Sequence, residues 1–113
     1  MTKEPFQEPP KPKNGTEALK LLKDGNARFV SGKPVCPHRN KATRDSLVGG
    51  QSPPVLVVCC SDSRVPPEIL FDCGAGDLFI VRTAGHVLSD STLASIEYGA
   101  EHLKCKLILV LGH

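Results

Sequence analysis

Three short, unbroken apolar runs limit what this chain can become. They are residues 55–58 (VLVV), 78–81 (LFIV) and 107–111 (LILVL). None alternates apolar with polar side chains, so each reads as a strand buried on both faces. Between the second and third runs, Leu93, Ile96, Ala100 and Leu103 recur at helical spacing within residues 91–103. Buried strands separated by helix define an α/β fold with a parallel β-sheet core and flanking helices. Ligands of such sheets bind beyond the carboxyl ends of the strands.

The flanks are simpler. Residues 1–15 hold Pro5, Pro9, Pro10 and Pro12 among charges and read as a flexible Pro-rich arm. Residues 16–113 form the domain. Thr16 is a candidate N-cap for a first helix, with Ala18, Leu21, Leu22 and Phe29 near one face. Gly25 weakens that helix. Residues 31–54 read as loop with a short helix near 44–48. Pro67 opens a brief helix over 67–71, and residues 74–77 (GAGD) make a turn.

A length of 113 residues allows one domain. Aromatics are 4% with no Trp, so the core must come from Leu, Ile, Val and Ala. A net charge of +2 is too small to point to nucleic acid or an anionic membrane. No apolar run approaches the roughly 20 residues of a membrane helix. Cysteines stand at 36, 59, 60, 73 and 105: an odd count, two adjacent, with no secretory signal in front. Reduced thiols or metal ligands fit this better than disulfides, and the cytoplasm is the expected compartment.

The segment richest in chemistry is residues 59–64 (CCSDSR). Alternation on an extended segment sends Cys60, Asp62 and Arg64 the same way. Cysteine is a soft zinc ligand and aspartate a harder one. Arginine cannot ligate but can hold Asp62 as a bidentate pair. The spacing alone leaves a plainer reading open, in which Cys60 is a buried thiol ending a strand and Asp62–Arg64 is a local ion pair. Cys60 and His113 end the first and third strands, and Gly85 and His86 follow the second.

Residues 50–87 (GQSPPVLVVCCSDSRVPPEILFDCGAGDLFIVRTAGHV) and 95–113 (SIEYGAEHLKCKLILVLGH) resemble the β-class carbonic anhydrases. That family carries C-x-D-x-R after its first strand and H-x-x-C after a later one. The likeness runs from about Thr16 to His113. It implies a β-carbonic anhydrase fold, here its front portion, with an N-terminal helical arm that wraps a partner. It implies reversible, zinc-dependent hydration of carbon dioxide to bicarbonate and a proton, in a homodimer or higher homo-oligomer. Carried over residue by residue, Cys60 and His113 are zinc ligands. Asp62, held by Arg64, is a switchable one that takes the place of water in a closed form. Gln51 contacts substrate, and Phe79 and Ala84 line a carbon dioxide pocket, in some members serving the neighbouring subunit's site.

The second Cys of the motif falls three residues beyond His113, past the last residue. The expectation for an isolated 113-residue monomer is therefore weak zinc binding and little or no hydration. A terminal His113 is prone to fray, and an unpaired third strand invites association. Two other functions stay open: a non-catalytic truncated relative that pairs with itself or a longer subunit, and a carbon disulfide hydrolase-like enzyme on the same scaffold.

Other polar residues read as structural. His86 is expected to hydrogen-bond rather than ligate. His38 and His102 are expected to face solvent, and Glu68 and Asp77 to be turn or surface charges. Cys59, Cys73 and Cys105 pack as small hydrophobes, and Cys36 is an idle loop cysteine.

Overall fold

The computed structural model describes residues 5–113. Residues 1–4 of the expected arm, and that part of the leader reading, lie outside the described residues. The elements run α1 (Gly15–Val30), α2 (Lys41–Ser46), β1 (Val55–Cys60), α3 (Pro67–Leu70), β2 (Leu78–Thr83), α4 (Asp90–Glu97) and β3 (Leu107–Val110). A 3-10 turn over Ala84–His86 follows β2, and a π turn over Tyr98–His102 extends α4.

The three strands form one parallel sheet in the order β2-β1-β3. The central strand is buried along its whole length, as its apolar run requires. Cys60 pairs with Thr83, and Val58 with Val110, so the three carboxyl ends lie side by side. The edge strand β3 departs from the expected burial on both faces. Leu107 and Leu109 pack inward, while Ile108 and Val110 are 46% and 71% exposed. Among the described residues, α1 covers one face of that strand and the other is open.

On one face of the sheet, Val55, Val57 and Cys59 pack with Ala18 and Leu22 of α1 and with Phe71 and Cys73. On the other, Leu56, Val58 and Val81 pack with Phe79, Ile96 and Cys105. Burial pushes the Cys73 thiol up to about 12, as suits a packing residue.

Helix α1 starts two residues earlier than expected. Asn14, not Thr16, is the N-cap: its side chain accepts from the Glu17 N–H at 2.9 Å. Glu17 in turn accepts the Lys13 N–H at 2.7 Å, tying the residue before the cap to the first turn. The buried face is Ala18, Leu22 and Gly25, and Phe29 is exposed. Gly25 is there for contact. A Cβ on it would lie 1.8 Å from the Phe71 carbonyl oxygen, so only glycine lets α1 approach α3 this closely.

The expected stripe on α4 holds in part: Ile96 packs on the sheet and Leu103 is half-buried. Leu93 is exposed, and Thr92 and Gly99 are the buried positions. A Cβ on Gly99 would meet Leu56 Cδ1 at 2.4 Å and Phe79 Cδ1 at 2.8 Å. The small residue thus sets the docking face. The π turn, by adding a residue to the helical cycle, carries Ala100 outward. Among the described residues no helix is long and apolar enough to cross a membrane.

Candidate active site

Cys60 is the last residue of β1, and the chain turns immediately beyond it. Its sulfur accepts N–H bonds from Asp62 at 3.4 Å and from Gly85 at 3.3 Å. These donors, Asp62 first, hold the thiol below its ordinary pKa against burial, which opposes ionisation. The Gly85 donor is available because Gly85 and His86 both take the left-handed conformation, at φ +64° and +61°. Two such residues in a row fold the loop after β2 back over the end of β1.

Asp62 is clamped by Arg64. Its Oδ1 accepts from Arg64 N at 2.8 Å and Nε at 3.0 Å, and its Oδ2 from Nη2 at 2.7 Å. The Arg64 side-chain bonds, then its backbone N–H, hold the carboxyl well below the usual carboxylate range. The same pairing raises the Arg64 pKa. This bidentate pair is the one expected from spacing.

His113 arrives from the end of β3, and its Nε2 lies 3.1 Å from Asp62 Oδ2. His86 supports that end of the sheet. Its Nε2 donates to the Leu111 carbonyl at 3.0 Å, and its ring meets that of His113 edge-on at 6.3 Å. A hydrogen-bonding role for His86 fits this contact.

One residue at the site is not among those singled out from the sequence. Arg82, at the end of β2, donates from Nε to the Cys60 carbonyl at 2.9 Å and from Nη2 to the Asp62 carbonyl at 2.8 Å. It fixes the backbone on either side of Ser61, and so the relative placement of Cys60 and Asp62. The available signal is a charged residue closing an otherwise apolar strand, LFIVR.

The remaining expected residues divide by position. Ala84 is exposed beside Gly85, at the same end of the sheet as Cys60. Phe79 pairs with Leu56, four positions before the Cys60–Thr83 pair, which is about 13 Å along the strand. It packs against Tyr98 with ring centres 5.8 Å apart. Gln51 is exposed in the coil that enters β1 at the end away from Cys60. One chain therefore gathers Cys60, Asp62, Arg64, Ala84 and His113, and leaves Gln51 and Phe79 apart from them.

Two histidine expectations resolve differently. His102 is exposed, stacked on Tyr98 at 4.8 Å. His38 does not face open solvent: it sits between Asp77 and Glu8. Asp77 is a turn residue, accepting also from the Gly74 N–H at 2.8 Å.

The donors at the strand ends suit zinc in their chemistry: a thiol biased toward thiolate, an imidazole and an ionised carboxylate. Among the described residues, however, no three His, Cys, Asp or Glu side chains are drawn together as a metal-holding group. Cys60 is turned to backbone N–H groups, and both Asp62 oxygens are engaged by Arg64.

Comparison with known proteins gives this geometry a family. The sequence profile of the family described as Carbonic anhydrase matches residues 55–113. A carbonic anhydrase of Mycolicibacterium smegmatis is 55% identical over 100 residues, covering 88% of this chain and 48% of the relative. Carbonic anhydrase 2 of Mycobacterium tuberculosis is 50% identical over 100 residues, with the same coverage of 88% and 48%. The chain thus spans about half the length of the curated relatives it matches. Among solved structures, a β-carbonic anhydrase of Aspergillus fumigatus superposes with a TM-score of 0.61 at 29% identity, covering 87% of this chain and 45% of that one. A tetrameric β-carbonic anhydrase of Sordaria macrospora gives 0.60 at 33% identity, covering 86% and 49%. On its sequence, its parallel sheet and these superpositions, the chain belongs to the β-class carbonic anhydrase family.

Proposed function

We propose that this chain contributes a zinc-dependent site for the reversible hydration of carbon dioxide to bicarbonate. One observation carries the reading. Cys60, the Asp62–Arg64 clamp and His113 meet at the carboxyl ends of adjacent parallel strands, with His113 and Asp62 in contact across 51 positions. Cys60 and His113 would hold the metal, with Asp62 as a third, exchangeable donor. Zinc would supply a Lewis acid that lowers the pKa of water from about 15.7 to about 7.

The chain's own residues prepare the site. The N–H groups of Asp62 and Gly85 favour the Cys60 thiolate. Arg64 keeps Asp62 ionised and oriented, so that a change in that clamp decides whether the carboxylate is free to ligate. Arg82 holds the turn that spaces the two. Ala84 offers a small apolar surface at the same end, which suits a small, uncharged substrate. Phe79 and Gln51 lie too far along the sheet to serve this chain's own site and suit that of a second copy.

Self-association belongs to the same reading. Exposed Ile108, Val110, Val87 and Leu88 support it, as does the tetrameric state of the Sordaria macrospora relative. The odd cysteine count supports a reducing compartment, the cytoplasm.

The test is carbon dioxide hydration by stopped-flow, with the purified protein titrated with zinc and its mass followed by sedimentation. Hydration that requires zinc and is lost in Cys60→Ser supports the reading. Zinc-loaded protein that leaves carbon dioxide unhydrated but hydrolyses carbon disulfide would replace it. A zinc-free assembly with neither activity would leave a pairing role.

A further inference from the structure

On the face of the sheet covered by α1, away from Cys60, lies a cavity of about 430 Å³. Its floor comes from α1 (Leu21, Asp24, Arg28) and from the turns at Asp72 and Asp77; its outer wall is the segment before α1, including Phe6, Glu8 and Pro12. Pro12 is buried at the base of that segment, and two side-chain contacts hold its outer part down. The Phe6 ring lies 4.9 Å from the Arg28 guanidinium carbon, a cation–π contact. Glu8 pairs with His38 Nε2.

The backbone around His38 is pinned. Its backbone is held in the left-handed region at φ +56°. Its carbonyl accepts from Ala75 N at 2.9 Å, and Asp72 anchors the preceding residues through the Val35 and Cys36 N–H groups. On its inner side, Nδ1 lies 2.8 Å from both oxygens of Asp77. The imidazole is therefore bracketed by two carboxylates, one on each ring nitrogen.

We propose that residues 5–12 are a strap that closes this cavity when His38 is an imidazolium and opens when His38 loses its proton. The reason is the donor count. An imidazolium has two N–H groups and can serve both carboxylates, whereas a neutral imidazole has one. Asp77 retains that one, because it is the less exposed carboxylate and already accepts from Gly74 N. Glu8 then faces a lone pair, and its hold is lost. The other charged groups around the cavity are engaged elsewhere or sit on the strap. Arg28 is bonded to Asp72, and Arg39 to the Cys73 carbonyl. Asp24 is paired with Lys20, and Lys11 sits on the strap itself.

The hydrogen bond that His38 donates to Asp77 raises the His38 pKa, with Glu8 adding to it against burial. A raised folded-state pKa means the clasp is fully formed below the unfolded value of about 6.5 and is lost as pH rises through the higher folded one.

The test is NMR on the intact protein from pH 6 to 10, following the His38 ring and the backbone mobility of residues 7, 8 and 11 together. The strap amides should gain mobility with the same midpoint as the His38 titration. In Glu8→Ala, which removes an exposed side chain and its acceptor, they should be mobile at every pH while His38 still titrates against Asp77. Strap mobility that stays flat through the His38 titration, follows a different midpoint, or is unchanged by Glu8→Ala would overturn the proposal.

Discussion

His113 Nε2 lies 3.1 Å from Asp62 Oδ2, joining the end of β3 to the turn after β1. Asp62 thus meets a cation on one side, in Arg64, and a metal-ligand candidate on the other. The clamp decides which partner holds the carboxylate.

Replacing Arg64 with Gln tests that clamp. An arginine beside an aspartate lowers its pKa by about 1–3 units, so the Asp62 pKa should rise by about that amount. NMR titration of the carboxyl measures it. The sign follows from linkage: Asp62 has a lowered folded-state pKa, so it contributes stability above the unfolded value of about 3.9, lost as pH falls through the folded one. In Arg64→Gln the loss still begins near the unfolded value, but it should be smaller and complete at a higher pH. An unmoved Asp62 titration would show that the backbone N–H alone holds the carboxylate.

The buried pair on the opposite side of the sheet makes a stability prediction. Asp72 is 1% exposed and accepts from Arg28 Nε at 2.6 Å and from the Val35 and Cys36 N–H groups at 2.9 Å each. Burial pushes its pKa up, but these partners outweigh burial and the net shift is downward. Asp72→Asn should cost about 3 kcal/mol, the low end for breaking a buried pair. Urea unfolding at neutral pH measures it. The wild-type advantage should shrink below about pH 4, where an ordinary carboxylate takes up its proton. A variant as stable as wild type would mean that the N–H bonds suffice.

Gly25→Ala should be costly although alanine is the better helix former. The added methyl meets a backbone carbonyl, which cannot swing aside as a side-chain tip can. Overpacking of this kind costs about 1–3 kcal/mol, against a helix-propensity gain of about 1 kcal/mol. A net loss of Tm is expected in calorimetry. A rise in Tm would mean that α1 and α3 separate freely.

What the sequence made legible, and what it hid, follows from the range of the interactions. The sheet was readable because burial on both faces of β1 leaves an unbroken apolar run, and Cys60, Asp62 and Arg64 stand out by local alternation. Arg82 escaped notice, and the N–H donor role of Gly85 with it, because their partners lie 20 or more residues away, with no local periodicity to mark them. His38 was misread for the same reason: its carboxylates come from 30 residues before it and 39 after. On α4, hydrophobicity favoured Leu93 and Ala100, but docking against Leu56 and Phe79 is set by the small size of Gly99. A pattern of apolar side chains cannot show where a missing side chain is what matters. Gln51 and Phe79 carry motif positions that one chain does not bring to its own site.

Zinc affinity tests the central claim most directly, measured by competition with a chromophoric chelator for wild type, Cys60→Ser and His113→Ala. The account predicts that wild type binds zinc. It also predicts that each substitution weakens binding by more than the about 10–100-fold typical of losing an outer partner of a ligand. Zinc bound equally well by all three proteins, or by none, would contradict a metal site built on Cys60 and His113.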